Sequence, residues 1–157
     1  TSLMARPLAQ LPQITCASSA YLQRHGTPQS IAELQDHLAV NYLSALTGRC
    51  FPLDFINDGE RIELQLPGSL SVNSAESYVA ACEAGMGIIQ APYYHLCEQL
   101  AAGTLCEILV QYRPAPMPLT ALYPQQRQLS RRVRVFVDWL VELFAREDLV
   151  SCPQPLD

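Results

Sequence analysis

Apolar and polar residues fall into short blocks along the chain, and these blocks predict strands that alternate with helices. Compact apolar runs of strand length lie at residues 14–17, 69–72, 87–91 and 105–110, with another at 119–123. Stretches with apolar residues at helical spacing follow most of these runs. Because this alternation is typical of sheets with helices on both faces, we expect an α/β fold with a mostly parallel sheet.

Capping signals set the limits of the predicted helices. Ser18 and Ser19 should begin a helix of one or two turns that stops at Gly26. Pro92 is placed to begin a helix over residues 93–102, which Gly103 should end. Two further pairs have the spacing of a capping box, in which each side chain satisfies a free N–H group near the other: Ser30 with Glu33, and Asn73 with Glu76.

Two other stretches are predicted to connect secondary-structure elements. The dipeptide Asp58-Gly59 lies between the apolar runs 51–55 and 61–66, and it supplies the positive φ angles that a tight hairpin needs. Three prolines between residues 113 and 118 predict a stiff, extended crossing segment.

The last predicted helix, capped by Ser130 and running to about Glu147, is apolar around most of its circumference. Its polar side is a narrow stripe of three residues: Arg134, Asp138 and Glu142. A helix on the surface of a complete domain normally has a broader polar side. We therefore expect more protein to pack on this helix, and the chain to be a fragment.

Composition narrows the classes of function. Fifteen acidic residues against ten basic ones give a net charge of −5, so we do not expect a generally basic DNA-binding surface. The six cysteines show neither CxxC nor zinc-ligand spacing and are interpreted as small buried side chains in a reducing compartment. No apolar run reaches membrane-spanning length and no signal-peptide pattern opens the sequence, so a cytoplasmic protein is expected.

Five motifs follow one another along the chain: CASSAYLQRHGTP at 16–28, LSVNSAE at 70–76, AGMGI at 84–88, LAAGTL at 100–105 and VRVFVDWL at 133–140. Together they resemble the C-terminal effector-binding domain of LysR-type transcriptional regulators, from about residue 3 to 145. Ser19 stands where the family usually has proline. The resemblance implies a fold similar to type 2 periplasmic binding proteins, in which two crossing strands join two α/β subdomains and an effector sits between them.

Mapped on this sequence, the resemblance implies three parts. Residues 1–13 are a remnant of the first subdomain and a linker, residues 14–118 form the second subdomain, and residues 119–157 return to the first as a strand and a helix. Most of the first subdomain, and the winged helix-turn-helix domain that would bind DNA, then lie outside this chain on its N-terminal side. The implied protein is a homodimer or homotetramer that senses a small metabolite, without a cofactor or a membrane.

Six residues are predicted to contact the effector: Ser18, Ser19, Tyr42, Asn73, Ser74 and Tyr123. The serine and asparagine caps present free N–H groups at helix starts, which suit a carboxylate or another polar acceptor. Any capped helix shows the same pattern, but the resemblance implies that both turns border one effector cleft. The two tyrosines either place rings and hydroxyls in that cleft or pack in the core.

Other interpretations of these residues have less support or stay open. Ser19, His25 and Asp36 lack a nucleophile elbow and lie in one short stretch, and the histidines have no metal-ligand spacing, so we expect neither an enzyme nor a metal site. Residues 93–102 either face the core or pair two effector domains. Four arginines form either a solvated edge or an anion-binding patch: Arg127, Arg131, Arg132 and Arg134. The alternative functions are a solute-binding protein of a transport system and a stand-alone interaction module.

Overall fold

The computed structural model describes residues 2–124 and 130–146, so Arg127, Glu147 and Cys152 lie outside the described residues. Contacts divide the chain into two compact units, Gln13–Ala115 and a second unit made of Thr1–Pro12 with Pro116–Asp157. We call these the larger and the smaller unit. Their identity with the subdomains 14–118 and 1–13 plus 119–157 stays a prediction.

Short strands and short helices alternate, as the hydrophobic pattern predicts. The strands are β1 (Leu3–Leu11), β2 (Gln13–Ser18), β3 (Asn41–Tyr42), β4 (Leu53–Asn57), β5 (Glu60–Leu64), β6 (Ser71–Val72), β7 (Ile89–Pro92), β8 (Leu105–Ile108) and β9 (Met117–Pro124). The α-helices are α1 (Ser19–His25), α2 (Ala75–Glu83), α3 (Cys97–Ala102) and α4 (Arg131–Phe144). Three 3-10 helices lie at Ala32–Asp36, Tyr93–His95 and Val110–Tyr112.

The central sheet of the larger unit is antiparallel, so the prediction of a mostly parallel sheet is wrong for these strands. Strand β2 lies between β7 and β8 and runs opposite to both. The crossover β7–α3–β8 does bring back a strand of the same direction, as the rhythm of the sequence implies, but β2 is inserted between the two. Parallel pairing occurs between β3 and β6 and at the bridge from Ala39 to Ile88.

Alternate residues of a strand point to opposite faces of a sheet. In this sheet, buried side chains cover both faces. Ile14 and Cys16 of β2 pack in one buried cluster with α2 and α3. Ala17 packs in a second cluster with Tyr21 of α1 and Phe55 of β4. The cysteines Cys16 and Cys82 are fully buried, as predicted, whereas Cys50 and Cys106 are partly exposed.

Two predicted capping boxes and one predicted helix start are wrong. Residues 32–36 form a 3-10 helix without a side-chain cap: the Ser30 hydroxyl donates to the Glu33 carboxylate at 3.4 Å instead of accepting from a main-chain N–H, and the same carboxylate accepts from the N–H of Gln29. Helix α2 is capped by Ser74, one residue beyond Asn73, since a hydroxyl there reaches the N–H of Ser77 at 3.2 Å. Pro92 ends β7 with an extended ψ, so residues 93–95 turn separately before α3 begins.

The predicted hairpin, the limits of α1 and the end of α3 are confirmed, whereas α4 ends at Phe144, short of the predicted end near Glu147. Strands β4 and β5 pair across Asp58 and Gly59, which both have positive φ. Ser18 caps α1, Gly26 ends it, and Gly103 ends α3 in the left-handed conformation.

The smaller unit pairs β1 with β9 in an antiparallel ladder, with an irregularity between Pro7 and Ala9. Helix α4 begins after Ser130, as predicted, and packs on β1, where Arg6 and Asp138 form an ion pair of 3.5 Å. Of the described α4 residues only Val137 is buried, and the rings of Phe136 and Trp139 stack on its exposed side. Among the described helices, none has the length and hydrophobicity of a membrane span.

Candidate functional site

The topology of the larger unit places the predicted serine and asparagine caps at opposite ends. Because β2 runs against β7, and β3 and β6 run with β7, the C-terminal end of β2 lies where the other strands begin. Helix α2 shows the same separation: Ser74 caps its start, whereas the Ser18 hydroxyl lies beside Gly85, just after its end. Nine helical residues span about 13 Å. The larger unit therefore does not bring the two turns together, and the expectation that both border one effector cleft stays a prediction.

At the first of these ends, the polar groups of Ser18 and Ser19 are already used. Ser18 is 2% exposed, and its hydroxyl accepts from the N–H of Tyr21 at 3.2 Å. Ser19 donates to the carbonyl of Gly103 at 2.8 Å and lies 3.4 Å from the Cys106 sulfur. The hydrogen bonds of both hydroxyls thus serve the local fold, and Ser19 alone of the two is partly accessible.

At the other end, three of the predicted residues come together. Strands β3 and β6 are parallel, so Tyr42 and the residues that follow Val72 lie side by side. The Tyr42 hydroxyl donates to the carbonyl of Asn73 at 3.4 Å, and Ser74 begins α2 immediately afterwards. Asn73 is exposed, and Tyr42 and Ser74 are half-buried. A ligand placed here would meet a phenol, an amide side chain and the free N–H groups of a helix start.

Two aromatic residues that the sequence reasoning missed complete this end. The rings of Tyr42 and the buried Tyr78 pack edge to face, with centroids 5.2 Å apart, and the Tyr42 ring also neighbours Phe51, at 6.2 Å. Burial raises the pKa of Tyr78, whose oxygen accepts from the N–H of Gln90. From the sequence alone, Phe51 is placed only in the apolar run 51–55, as part of the predicted hairpin. Its contact with Tyr42 depends on a backbone pairing that the sequence pattern does not reveal.

A hydrogen-bonded network holds the segment that precedes Tyr42. The Tyr21 hydroxyl accepts from the N–H of Leu38 at 2.8 Å and lies 3.3 Å from the Leu38 carbonyl oxygen. It also lies 3.1 Å from Nδ1 of His37, which is 5% exposed. Burial lowers the pKa of His37 and raises that of Tyr21. Helix α1 therefore fixes the segment that leads into β3.

The remaining predicted groups are distributed as follows. Tyr123 lies on β9 in the smaller unit, so the larger unit gives no information on its role. Leu96 is fully buried, and Tyr93 and Leu100 pack against the same cluster, so the apolar side of residues 93–102 faces the core. The described arginines of the basic cluster are exposed. No three potential metal ligands converge in the part of the chain that the structure describes.

A concavity of about 250 Å³ lies between α2 and the residues around α3. The residues that line it are Ala75, Glu76, Val79, Ala80, Glu83, His95 and Gln99. It lies on the side of α2, and the Glu83 carboxylate already accepts a hydrogen bond from Thr104 at 3.1 Å.

Parallel strands that end beside a capped helix, with polar side chains at that edge, define an α/β module of the kind that binds small molecules. The comparison with known families agrees with this class. The chain belongs to the LysR substrate binding domain family, whose model matches residues 1–145. The predicted family and fold class are thereby confirmed: this is the substrate-binding domain of LysR-type transcriptional regulators.

Individual relatives are transcriptional regulators. The chain is 42% identical over 138 residues to the HTH-type transcriptional regulator YhjC of Escherichia coli (strain K12), covering 88% of this chain and 46% of that protein. It is 30% identical over 145 residues to an HTH-type transcriptional repressor of Pseudomonas aeruginosa, covering 92% and 46%. The chain thus spans about half the length of these relatives. They give no support to the alternative of a transport protein.

Solved structures of LysR-type regulators have the same fold. The regulatory domain of CrgA from Neisseria meningitidis superposes with a TM-score of 0.74 at 28% identity, covering 92% of this chain and 70% of that one. The full-length virulence activator AphB of Vibrio cholerae gives a TM-score of 0.75 at 26% identity, covering 92% and 49%.

Proposed function

We propose that this chain is the effector-sensing part of a LysR-type regulator and that a small metabolite binds at the Tyr42 end of the larger unit. The observation that carries the proposal is the junction of β3, β6 and α2, where Tyr42, Asn73 and Ser74 meet. In α/β folds, ligands bind at the C-terminal ends of parallel strands. In a member of a family of effector-binding domains, such an edge is the natural place for the effector.

The chemistry of this edge favours a carboxylate or a similar acceptor. The first N–H groups of a helix lack partners within the helix and carry the positive end of its dipole. In α2 the Ser74 hydroxyl accepts from Ser77, which leaves the N–H groups of Ala75 and Glu76 available to a ligand. Among the residues that the structure describes, the Tyr42 hydroxyl makes one long hydrogen bond, to the Asn73 carbonyl at 3.4 Å, so it can turn to donate to another acceptor instead.

The proposal assigns different roles to the other predicted residues. Ser18 stabilises α1 from the end of the sheet remote from Tyr42. Ser19 and Tyr123 stay predicted effector contacts, and substitution of either one tests it separately. Regulation follows if the effector binds one conformation of the protein more tightly than another.

For the whole protein, we propose a cytoplasmic homodimer or homotetramer that binds DNA through a helix-turn-helix domain outside this chain and catalyses no reaction. The names of the relatives, several of which are HTH-type regulators, support the DNA-binding part of this proposal. The acidic balance of the chain, with 15 acidic and 10 basic residues, agrees with a DNA contact made elsewhere.

The test compares the two caps in the full-length protein. Calorimetry with a panel of small carboxylates, and DNA footprints with and without them, measure binding and its consequence. Replacing either cap serine by alanine destabilises a helix by about 1 kcal/mol. Ser74→Ala should lower effector affinity about tenfold, whereas Ser18→Ala should leave it unchanged. The proposal is wrong if no panel member binds and the footprint never changes, or if Ser18→Ala weakens binding as much as Ser74→Ala.

A further inference from the structure

Three aromatic rings form a continuous row from the core to the surface beside the proposed effector site. Tyr78 is 6% exposed and packs edge-on against Tyr42, with centroids 5.2 Å apart and planes at 81°. Tyr42 in turn contacts Phe51, at 6.2 Å and 40°. Phe51, the outermost ring, is 56% exposed. The row therefore ends in a large apolar surface that water covers in the free protein.

Phe51 is held in place by the main chain. Its N–H donates to the carbonyl of Tyr42 at 2.9 Å, and the bridge between Leu43 and Cys50 closes the turn that precedes it. Inside this turn, the N–H of Ser44 donates to the carbonyl of Arg49 at 2.9 Å. Because this main chain is already ordered, covering the ring costs little backbone freedom.

The same tyrosine ring joins Phe51 to the polar part of the site. The hydroxyl of Tyr42 points to Asn73, and its ring lies against Phe51. A ligand that occupies the polar end of Tyr42 and extends along its ring reaches the exposed face of Phe51. An aromatic pair at a ring distance between 4.5 and 7 Å accepts a third ring in stacked or edge-to-face contact.

We infer that Phe51 is a specificity-determining residue that selects effectors with a flat ring attached to their polar group. The inference rests on the proposed function, because it concerns another part of the same site. A flat ring covers the Phe51 face and gains the aromatic contact in addition to the buried apolar area. A saturated ring of similar size buries the same apolar area but makes no aromatic contact.

Three carboxylic acids test this inference in the full-length protein. Phenylacetate carries a flat ring, cyclohexylacetate a saturated ring and acetate no ring. Calorimetry should show that phenylacetate binds about tenfold more tightly than cyclohexylacetate. Phe51→Leu, which keeps the apolar bulk but removes the ring, should abolish that preference, so that phenylacetate and cyclohexylacetate bind with equal affinity. Leu46→Ala is the matched control, because Leu46 is 97% exposed in the same turn, and it should change none of the three affinities.

Each outcome separates this inference from the proposed function. If the acids bind in a manner that depends on Ser74, but Phe51→Leu leaves the preference between the two rings intact, the role of Phe51 is wrong and the site remains. If Phe51→Leu weakens all three acids equally, Phe51 supports the fold of the site and does not select the ligand. If none of the acids binds the unmodified protein, the carboxylate site is wrong, and the inference about Phe51 falls with it.

Discussion

Replacing Gln90 by alanine should destabilise the larger unit more than any exposed polar substitution does. The Gln90 side chain takes the place of a neighbouring strand for β4: its oxygen accepts from the N–H of Asp54 at 2.8 Å, and its nitrogen donates to the Asp54 carbonyl at 2.6 Å. The same nitrogen lies 2.8 Å from the hydroxyl of Thr15, which is 2% exposed. One amide group therefore joins β2, β7 and β4.

The magnitude follows from these contacts. Alanine removes three hydrogen bonds, each worth about 1 kcal/mol, and leaves partly buried main-chain groups of Asp54 without their partners. We expect the free energy of unfolding to fall by about 3 kcal/mol.

Urea denaturation followed by far-UV circular dichroism measures this change, with Gln65→Ala as the control. The Gln65 side chain is exposed and makes a single bond, to Asn41 at 3.2 Å, so its loss should cost less than about 0.5 kcal/mol. If both variants unfold at the same urea concentration, the view of Gln90 as a substitute for a strand is refuted.

Three further predictions concern the buried histidine, a close main-chain approach and the exposed helix side. Burial lowers the folded-state pKa of His37, so the neutral side chain is compatible with the fold above the unfolded pKa of about 6.5, and stability is lost as the pH falls below that value. Urea titrations from pH 7.5 to 5 should therefore show a smaller loss of unfolding free energy for His37→Gln than for His95→Gln. Equal losses in the two variants would contradict this prediction. A Cβ at Gly87 would lie 2.7 Å from a main-chain oxygen, whereas a Cβ at Gly103 would meet open space. Gly87→Ala should therefore lower the free energy of unfolding by at least about 2 kcal/mol and Gly103→Ala by about 1 kcal/mol. Thermal unfolding of the two variants measures the difference. Trp139 is 51% exposed on the apolar side of α4, so the isolated chain should self-associate in sedimentation experiments and Trp139→Glu should reduce that association; a monomer at all concentrations would argue against this.

Local signals predicted the elements of this fold well, because they act between residues close in sequence. A serine hydroxyl three residues before a free N–H, as at Ser18, and a positive φ at Gly59 or Gly103 act within one turn. Where two caps competed, as at Asn73 and Ser74, the sequence could not rank them, since both side chains can accept the same kind of bond.

The order of strands could not be predicted in the same way. Apolar runs at β7 and β8 signal buried strands, but the insertion of β2 between them depends on packing across the whole sheet. This one insertion moves Ser18 to the end of the sheet opposite Tyr42. The six predicted effector contacts are therefore not all brought together within the larger unit, whereas Tyr42, Asn73 and Ser74 lie close because β3 and β6 are parallel neighbours; their role in effector binding stays a prediction.

The motif around Ser18 still contributes to the site, through Tyr21. That residue is fully buried, and its hydroxyl binds the main chain of Leu38 through both the N–H and the carbonyl oxygen. Ala39 then bridges to Ile88, and β3 begins two residues later, so the direction in which Tyr42 leaves the sheet is already set. A displaced α1 would release the Leu38 peptide and with it the register of β3. The buried Tyr21 therefore supports the segment that leads to Tyr42, from the end of the sheet remote from the proposed effector site.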